Sequence, residues 1–433
     1  MAERLPLLLR SYRLLTVAAA PLASLLLSYR LRRGKEDAKR LPERRGEAAV
    51  PRPEGPLVWL HGASVGELNA ILPLIERIRQ RDVTVLVTSG TVTSADVVGR
   101  RLPQGVIHQF SPLDVPPFVT RFLDHWKPDL ALFVESDLWP NLIMAGSARN
   151  IPLILINGRL SERSARRWRW APRSIGHLLH RFDLCLAQST TDAARYQRLG
   201  APRIATTGNL KLDVPAPPAA ADKLEEIKVA VGNRPVIAAA STHPGEEIAM
   251  IDAHRRLKHT FPGLLTLVAP RHPQRGPGIA DIARNAGLVA ALRSCDELPK
   301  ADTDIYVADT LGELGLIYRL ASIVFMGGSL VSHGGQNPIE AAKLGAAILH
   351  GPHVFNFAEI YAALDDAGGA EEVSDAGRLA VRIGAWLKDA DARRKVAATS
   401  LTALDNLVGA LDRTVAALDP YLMQFRLERS DHA

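Results

Sequence analysis

The chain has 433 residues, of which 47% are hydrophobic and 5% aromatic, so its composition favours two globular domains and excludes a fibrous or disordered protein. Its formal net charge of +7 favours an anionic partner, but the sequence lacks the zinc-knuckle, RNA-binding-sheet and long basic-helix motifs that would indicate nucleic acid. The two cysteines, Cys185 and Cys295, indicate neither a disulfide framework nor a cysteine metal site, and they fit a reducing cytoplasmic compartment.

The N-terminal segment is the first predicted element. The stretch "LPLLLRSYRLLTVAAAPLASLLLSYRLRRGK" is uninterruptedly apolar only from Leu14 to Leu27, which is shorter than the roughly 20 residues of a spanning helix. A cleaved signal peptide is disfavoured because arginines stand where a cleavage site needs small residues. We predict that residues 1–35 form a membrane anchor, either a short tilted span or an interfacial helix; the alternative is a helix buried on the protein itself. Arg30, Arg32, Arg33 and Lys35 follow the apolar run. Because basic residues flank membrane segments mainly on the cytoplasmic side, we predict that the main body of the protein lies in the cytoplasm.

Short β-branched runs alternate with amphipathic segments from about residue 56, as in "LVWL", "VTVLVTS", "LALFVE", "PLILING", "LCLAQS" and "RIATTGN". The Pro/Ala stretch 212–222 interrupts the pattern, and "PVIAAAS", "LLTLVAP", "DIYVAD", "ASIVFMGG" and "AAILHG" follow it. Such alternation indicates parallel sheets covered by helices. We predict an α/β protein with two Rossmann-like domains facing across a cleft, residues 50–211 and 223–425, joined by the linker 212–222. Ligands of such sheets bind at the carboxyl ends of the strands.

Charged side chains follow several predicted strands of the first domain. In "LHGASVGELNA", Ser64 and Glu67 have the spacing of a capping box, in which Ser64 binds the amide of Glu67 and Glu67 reaches back. Glu135 and Asp137 in "LFVESDLWPNLI" follow a buried strand, where an unpaired carboxylate is costly. Lys211 in "TTGNLKLD" follows the last strand before the linker. These side chains are suited to acid, base and electrostatic roles at one sheet edge, although spacing alone leaves Glu67 as either a helix cap or a proton acceptor.

A basic stretch, "NGRLSERSARRWRW", follows the fourth predicted strand. It carries Arg159, Arg163, Arg166, Arg167 and Arg169 together with Trp168 and Trp170. The stretch is either a solvated basic helix or a docking face for an anionic, amphipathic acceptor.

Three motifs suited to a phosphate follow predicted strands of the second domain. Arg271 in "LVAPRHPQR" can form paired bonds to a phosphate, or is a surface arginine that leaves a strand. Thr310 and Glu313 in "ADTLGELG" have capping-box spacing at a helix whose start can bind an anion. The third motif, "MGGSLVSHGGQNPIEAAKLG", contains two glycine pairs that allow close backbone approach to a ligand, followed by residues that fit N-cap, N1 and N3 of a helix: Gly327-Gly328, Gly334-Gly335, Asn337, Pro338 and Glu340.

Several common site types are absent from the sequence. Neither a Walker lysine motif nor G-x-G-x-x-G after the first strand is present, which disfavours ATPase and NAD-dependent activity. No His, Asp and Glu cluster has clear metal-ligand spacing. His243 and His272 each lie in a predicted loop, and each could either contact a phosphate or have a purely structural role.

Many motifs in a fixed order now point to one family: "SVGE", "VESDLWPNLI", "NGRLSERS", "TGNLKLD", "STHPGEE", "PRHPQR", "DTLGELGLIY", "GGSLVSHGGQNPIEAA" and "GPHVFNFAEI". The chain resembles the 3-deoxy-D-manno-octulosonic acid (Kdo) transferases of glycosyltransferase family 30, which add Kdo to the lipid A precursor. The resemblance extends from the N-terminal segment to about residue 420. It implies the two-domain GT-B architecture, with the acceptor on the first domain and CMP-Kdo on the second. It also implies no cofactor or catalytic metal, and a place on the cytoplasmic face of the inner membrane.

The resemblance assigns roles to particular residues. It makes Glu67 the general base and makes Glu135 and Lys211 transition-state stabilisers. It places the CMP moiety against Pro270, Arg271, Leu311, Gly312, Glu313, Asn337, Pro338, Ile339 and Glu340. The sequence departs from the family at two points: Asp137 stands where Glu is usual, which shortens the reach of that carboxylate, and Gly62-Ala63 stand where bulkier residues are common.

The implied reaction is an inverting transfer. An acceptor hydroxyl of lipid IVA, activated by Glu67, attacks the anomeric carbon of CMP-Kdo while CMP departs. One alternative is another GT-B enzyme that acts on UDP-sugars, either a transferase or an epimerase. A second is a non-catalytic membrane-bound binder of nucleotide sugars, which the joint presence of Glu67, Glu135 and Lys211 disfavours.

Overall fold

The computed structural model describes residues 5–430, so the first four residues of the predicted anchor lie outside the described part. The helices are α1 (Leu7–Ala18), α2 (Ala23–Arg32), α3 (Val65–Arg79), α4 (Val92–Arg101), α5 (Pro116–Trp126), α6 (Pro140–Ser147), α7 (Glu162–Trp168), α8 (Pro172–Leu179), α9 (Thr190–Arg198), α10 (Ala221–Val231), α11 (Glu246–Lys258), α12 (Gly276–Asn285), α13 (Leu314–Leu320), α14 (Ile339–Lys343), α15 (Ala358–Ala367), α16 (Ala376–Lys388), α17 (Ala390–Asp405) and α18 (Ala410–Ser430).

Two parallel sheets confirm the predicted α/β class. The first sheet contains β1 (Leu57–His61), β2 (Thr84–Ser89), β3 (Ile107–Phe110), β4 (Leu130–Val134), β5 (Leu153–Gly158), β6 (Leu184–Ala187) and β7 (Ile204–Thr206), in the order β3-β2-β1-β4-β5-β6-β7. The second contains β8 (Val236–Thr242), β9 (Leu265–Pro270), β10 (Ala290–Leu292), β11 (Ile305–Val307), β12 (Ile323–Met326), β13 (Ala347–His350) and β14 (Ala370–Glu372), in the order β10-β11-β9-β8-β12-β13-β14.

The central strands are buried along their whole length, since helices cover both faces of each sheet. This explains why β1, β4 and β5 are continuous apolar runs without polar alternation. The strands that the sequence pattern missed, β3, β10 and β14, have only three or four residues, and each is the outermost strand at an edge of its sheet.

The N-terminal helices pack on the first sheet's helical layer with one face and leave the other exposed. Leu9 and Leu27 are buried, and the Tyr12 hydroxyl donates to Asp114 Oδ2 at 3.0 Å. Many apolar side chains of α1 and α2 are exposed, among them Leu7, Leu8, Leu14, Leu15, Leu22, Leu25 and Leu26. Within residues 5–430 no single helix is long and apolar enough to cross a membrane, whereas Leu7–Ala18 and Ala20–Arg32, bent by 50°, meet the length and composition criteria as a pair.

The chain divides into two compact units. The first runs to Val214 and resumes at Val408, and the second runs from Pro215 to Leu407. The predicted second domain, residues 223–425, therefore ends too late in the sequence. Residues beyond 407 belong to the first unit because α18 packs Val415, Leu418, Leu422 and Phe425 into the core beneath α3. The apolar periodicity of a helix does not show which of two cores the helix packs against.

A single aspartate fixes the point where the chain returns. Asp213 accepts hydrogen bonds from the backbone amides of Gly409, at 2.8 Å, and Leu411, at 2.5 Å. The carboxylate thus satisfies the otherwise unpaired amides at the start of α18. Arg413 Nε also donates to the Thr207 carbonyl at 2.7 Å. Both contacts join α18 to the segment that follows β7.

We expect Leu418→Ala to lower the free energy of unfolding of the first unit by about 2–4 kcal/mol, because it opens a cavity at a fully buried position. Met423→Ala on the same helix is the control, since Met423 is 57% exposed. Urea unfolding followed by tryptophan fluorescence measures the difference, because all tryptophans except Trp386 lie in the first unit. Equal effects of the two substitutions would contradict the assignment of α18 to this core.

Candidate active site

Glu67 is held at the start of α3 by the predicted capping box. Ser64 is the N-cap residue, and its hydroxyl accepts from the Glu67 amide at 3.3 Å and donates to Glu67 Oε1 at 2.9 Å. The return bond is displaced by one residue from the usual pattern, because Glu67 Oε2 accepts from the Ala63 amide at 2.7 Å. Both carboxylate oxygens are therefore oriented by groups of the turn that follows β1.

The pKa of Glu67 is raised from its usual 4.5 to about 7. Burial is the largest cause, and the negative charges of Asp137 and Glu135 add to it. The hydrogen bonds from Ser64 and Ala63 oppose the increase because they stabilise the ionised form. A carboxyl group with this pKa changes protonation state near neutral pH, which suits a general base.

Glu135 and Lys211 form an ion pair at the same edge of the first sheet. Glu135 follows β4 with a left-handed φ of 58°, and Lys211 lies in the short 3-10 turn Leu210–Leu212 after β7. Lys211 Nζ is 2.5 Å from Glu135 Oε1, with both side chains largely buried. Asn157 supports the lysine from the end of β5, because its Oδ1 accepts from the Leu210 amide at 3.0 Å. The sequence analysis missed this asparagine; its position at the end of an apolar run was the available signal.

Asp137 faces a buried histidine of β1. His61 Nε2 and Asp137 Oδ2 are 3.7 Å apart, and within residues 5–430 neither atom has a hydrogen-bond partner. Burial lowers the pKa of His61 to about 4, so the ring is neutral at physiological pH, and burial raises the pKa of Asp137. His61 Nδ1 is 2.9 Å from the Thr88 hydroxyl, which fixes the ring. The structure thus brings together Glu67, Glu135, Asp137 and Lys211 by contact or by mutual electrostatic influence.

In the second unit the predicted donor residues lie at the carboxyl edge of the sheet. Pro270 ends β9 and is buried, whereas the side chain of Arg271 is exposed. The Arg271 amide donates to the Thr242 carbonyl at 3.0 Å, which ties the end of β9 to the end of β8. The Arg271 guanidinium is therefore available to an anion from a fixed backbone position.

A carboxylate that the sequence analysis missed organises the glycine-rich turn after β12. Glu246 is 1% exposed and accepts from the amides of His243, Gly328, Ser329 and Leu330 at 2.6–3.0 Å. A Cβ added at Gly327 would lie 2.5 Å from the Ser241 carbonyl oxygen. Contact with the protein's own backbone therefore already requires glycine here, independently of any ligand.

Two predicted helix starts differ from the structure. Thr310 and Glu313 form no capping box, because α13 begins at Leu314 and the Thr310 hydroxyl donates to Glu313 Oε2 at 2.5 Å. Burial raises the pKa of Glu313, but hydrogen bonds from Arg293, Thr310 and Lys223 outweigh burial and lower it to about 2. Lys223 and Arg293, which are distant from Glu313 in the sequence, bind its carboxylate. The spacing between Thr310 and Glu313 contains no information about these contacts.

The helix after the glycine-rich turn begins one residue later than predicted. Pro338 is the N-cap of α14, and Asn337 Oδ1 accepts from the Ile339 amide at 3.1 Å. Glu340 therefore lies at N2 and not at N3. The CMP residues assigned by resemblance thus lie at the end of β9 and directly after it, in the turn after β11, and between β12 and the first turn of α14. Leu311 among them is 74% exposed.

Three histidines that are distant in sequence meet beside this turn. The rings of His243 and His333 stack with centroids 4.1 Å apart, and His272 lies 6.3 Å from His243. Gln336 Nε2 is 3.2 Å from His243 Nε2. Burial lowers the pKa of His243, and the neighbouring His333, His272 and Arg271 add to this effect. Among the described residues no group of three or more His, Cys, Asp or Glu side chains has a metal-binding arrangement.

Comparison with known proteins identifies the family. A family model described as 3-deoxy-D-manno-octulosonic-acid transferase (kdotransferase) matches residues 39–214. A probable mitochondrial 3-deoxy-D-manno-octulosonic acid transferase of Arabidopsis thaliana is 40% identical over 83% of each chain. The 3-deoxy-D-manno-octulosonic acid transferase of Haemophilus influenzae is 36% identical over 89% of this chain and 92% of its own. This chain belongs to the Kdo transferase family.

The Kdo transferase fold is also found in solved structures of more distant sequence. A glycosyltransferase of Rickettsia africae superposes with a TM-score of 0.60 at 13% identity, over 85% of this chain and 98% of its own. Together with the two seven-stranded parallel sheets, this likeness confirms the GT-B fold. As a Kdo transferase family member, the chain is a glycosyltransferase.

The raised pKa of Glu67 makes a prediction about stability. The folded Kdo transferase holds the Glu67 proton up to about pH 7, whereas the unfolded chain releases it near pH 4.5, so ionisation of Glu67 lowers the free energy of unfolding as pH rises through this interval. We expect Glu67→Gln to be more stable than wild type by about 3 kcal/mol at pH 8, with the gain vanishing below pH 4.5.

Urea unfolding at several pH values between 4.5 and 8 tests this. Glu76→Gln is the control for loss of a carboxylate from the same helix, because Glu76 lies on its exposed face. A stability gain that stayed constant across the pH range would show that the ionisation of Glu67 is not its cause.

Proposed function

We propose that this glycosyltransferase transfers Kdo from CMP-Kdo to the lipid A precursor, lipid IVA, in lipopolysaccharide biosynthesis, by an inverting reaction that uses no metal or cofactor. The observation that carries the proposal is Glu67, a carboxylate oriented by Ser64 and Ala63 with a pKa of about 7, in a chain of the Kdo transferase family. A fixed proton acceptor that is half-ionised at neutral pH is what activation of an acceptor hydroxyl needs.

Glu67 acts as the base in the proposed reaction. It takes the proton of the acceptor hydroxyl as that oxygen forms a bond to the anomeric carbon of Kdo. The bond from this carbon to the phosphate oxygen of CMP breaks at the same time, and CMP leaves with its electron pair. Attack opposite to the leaving group inverts the anomeric configuration.

The ion pair of Glu135 and Lys211 stabilises the charge that develops in this transition state. The anomeric carbon gains positive charge as CMP leaves, and carboxylates at the sheet edge favour that charge. Lys211, at 2.5 Å from Glu135, holds this carboxylate in place in a largely buried environment. Asp137 adds negative charge beside Glu67 and so raises its basicity.

The second unit binds the donor in this proposal. The exposed guanidinium of Arg271 and the turns at Leu311–Glu313 and Asn337–Glu340 receive the CMP moiety. A guanidinium can form paired hydrogen bonds with a phosphate, both in the ground state and as negative charge grows on the leaving group.

The N-terminal helices hold the enzyme on the cytoplasmic face of the inner membrane. The exposed leucines of α1 and α2 would enter the apolar layer, and Arg30, Arg32 and Arg33 would contact anionic head groups. The packing of Leu9 and Leu27 on the protein supports an interfacial position for these helices.

We expect Glu67→Gln to retain the fold but to lower the rate of transfer by about two to four orders of magnitude, because the amide cannot accept the proton. The assay supplies CMP-Kdo generated in situ and tetra-acylated lipid A precursor, and mass spectrometry of the products counts the Kdo units added. Glu76→Gln on the same helix is the matched control and should retain the wild-type rate.

Near-normal transfer by Glu67→Gln would show that Glu67 only caps α3 and is not the base. Glu135 would then be the next candidate for the base. Turnover of UDP-sugars in place of CMP-Kdo would contradict the proposed donor. Binding of CMP-Kdo by the wild type without any product would favour a non-catalytic binder.

A further inference from the structure

A basic pocket lies on the first unit at α7 and the turn that follows it. Its lining residues are Glu162, Arg163, Arg166, Arg167 and Trp170. Three guanidinium groups face one carboxylate, so the pocket carries a net positive charge. Trp170 is 92% exposed and adds an apolar surface to the lining.

The charge of the pocket is only partly balanced within the protein. Arg166 Nε donates to Glu162 Oε1 at 3.0 Å, and Arg195 Nε lies 3.5 Å from Glu162 Oε2. Arg163 and Arg167 form neither an ion pair nor a side-chain hydrogen bond within residues 5–430. These two guanidinium groups are therefore available to a ligand.

The backbone under the pocket is fixed before any ligand arrives. Ser161 caps α7 by accepting from the Ser164 amide at 3.2 Å. The Leu160 amide donates to Asp192 at 2.8 Å, and Arg195 donates to the Leu160 carbonyl at 3.0 Å. A preorganised site of this kind loses less entropy when a ligand binds.

A tyrosine links the pocket to the carboxylates of the candidate active site. α7 follows β5, which pairs in parallel with β4, the strand that leads to Glu135. The Tyr196 hydroxyl lies 3.2 Å from the Glu135 carbonyl oxygen and 3.3 Å from that of Arg159, and donates to both. The turn that leads into α7 and the turn that carries Glu135 thus lie at the same edge of the first sheet and share this hydroxyl group.

Apolar surface borders this edge as well. α1 packs against α8, and the Thr16 hydroxyl accepts from Asn141 Nδ2 at 3.1 Å, near the start of α6 and shortly after Glu135 in the chain. The neighbouring Leu14 and Leu15 are 63% and 69% exposed. The unit that carries the candidate catalytic residues therefore also carries the basic pocket and the exposed leucines of α1.

We propose that Arg163, Arg167 and Trp170 bind a phosphate group of the acceptor glycolipid, while the exposed leucines of α1 receive its acyl chains. This inference rests on the proposed function, in which the acceptor carries phosphate groups on an acylated disaccharide. Arginine suits this task because its planar guanidinium pairs with two phosphate oxygens at once. The pocket would anchor the acceptor on the unit that carries Glu67.

The test compares the full-length wild type with the double variant R163Q/R167Q in neutral detergent micelles. Acceptor binding and transfer kinetics are measured with the lipid A precursor and with forms that lack one or the other phosphate. R255Q removes the same kind of charge from an exposed position of α11 in the second unit and serves as the control.

We expect R163Q/R167Q to weaken binding of the intact acceptor, and to raise its KM, by about tenfold to a hundredfold. The KM for CMP-Kdo and the kcat at saturating acceptor should stay unchanged, which also shows that the variant is folded. With one of the two dephosphorylated acceptors, the wild type and the variant should bind equally, because the contact that the arginines make is already missing. R255Q should resemble the wild type throughout.

An equal loss of affinity for all acceptor forms would overturn the inference, and so would no loss for any. Unchanged binding of acceptor in micelles, combined with weaker binding to vesicles that contain phosphatidylglycerol, would assign the arginines to the bilayer surface and would also overturn it. Absence of transfer by the wild type would count against the proposed function, while the binding comparison would still decide which phosphate source the pocket recognises.

Discussion

A lysine ammonium and a carboxylate 2.5 Å apart hold the candidate catalytic edge of the first sheet together. Glu135 comes from the end of β4 and Lys211 from beyond β7, with β5 and β6 between these strands in the sheet. Loss of one partner would leave a buried charge uncompensated, which typically costs about 3–5 kcal/mol. The neighbouring Asp137 contributes more than Glu135 to the raised pKa of Glu67.

Three buried carboxylates of this basic protein bind its own backbone where turns and helices begin. Glu246 accepts from four amides of the glycine-rich turn, Asp213 from two at the start of α18, and Asp114 from the Asn141 and Leu142 amides at the start of α6. Ionised acceptors form the stronger hydrogen bonds in a buried setting, so they suit turns that must keep their shape. These carboxylates are therefore engaged within the protein, whereas Arg163 and Arg167 in the first unit and Arg271 in the second are exposed.

Local and topological patterns in the sequence predicted the parts that depend on few residues. The capping box at Ser64 and Glu67 needs only a spacing of three, and the meeting of Glu135 with Lys211 follows from parallel strands that end at one edge. Features decided by distant side chains escaped prediction. Lys223 and Arg293 bind Glu313, which therefore does not form the expected capping box. The edge strands β3, β10 and β14 have only three or four residues, and the return of α18 depends on which of two cores its apolar side chains fill.

The return of α18 to the first unit makes the second unit an insertion within the first, with consequences for the order of events on the ribosome. The strands and helices up to Val214 emerge first, but the apolar groove beneath α3 stays open until residues 410–425 are synthesised. The intervening 215–407 form a complete core of their own and are free to fold before the earlier unit is finished. If they do so, residues 215–407 reach their native fold while Ile71, Leu74 and Ile78 still lack the apolar side chains of α18 that cover them.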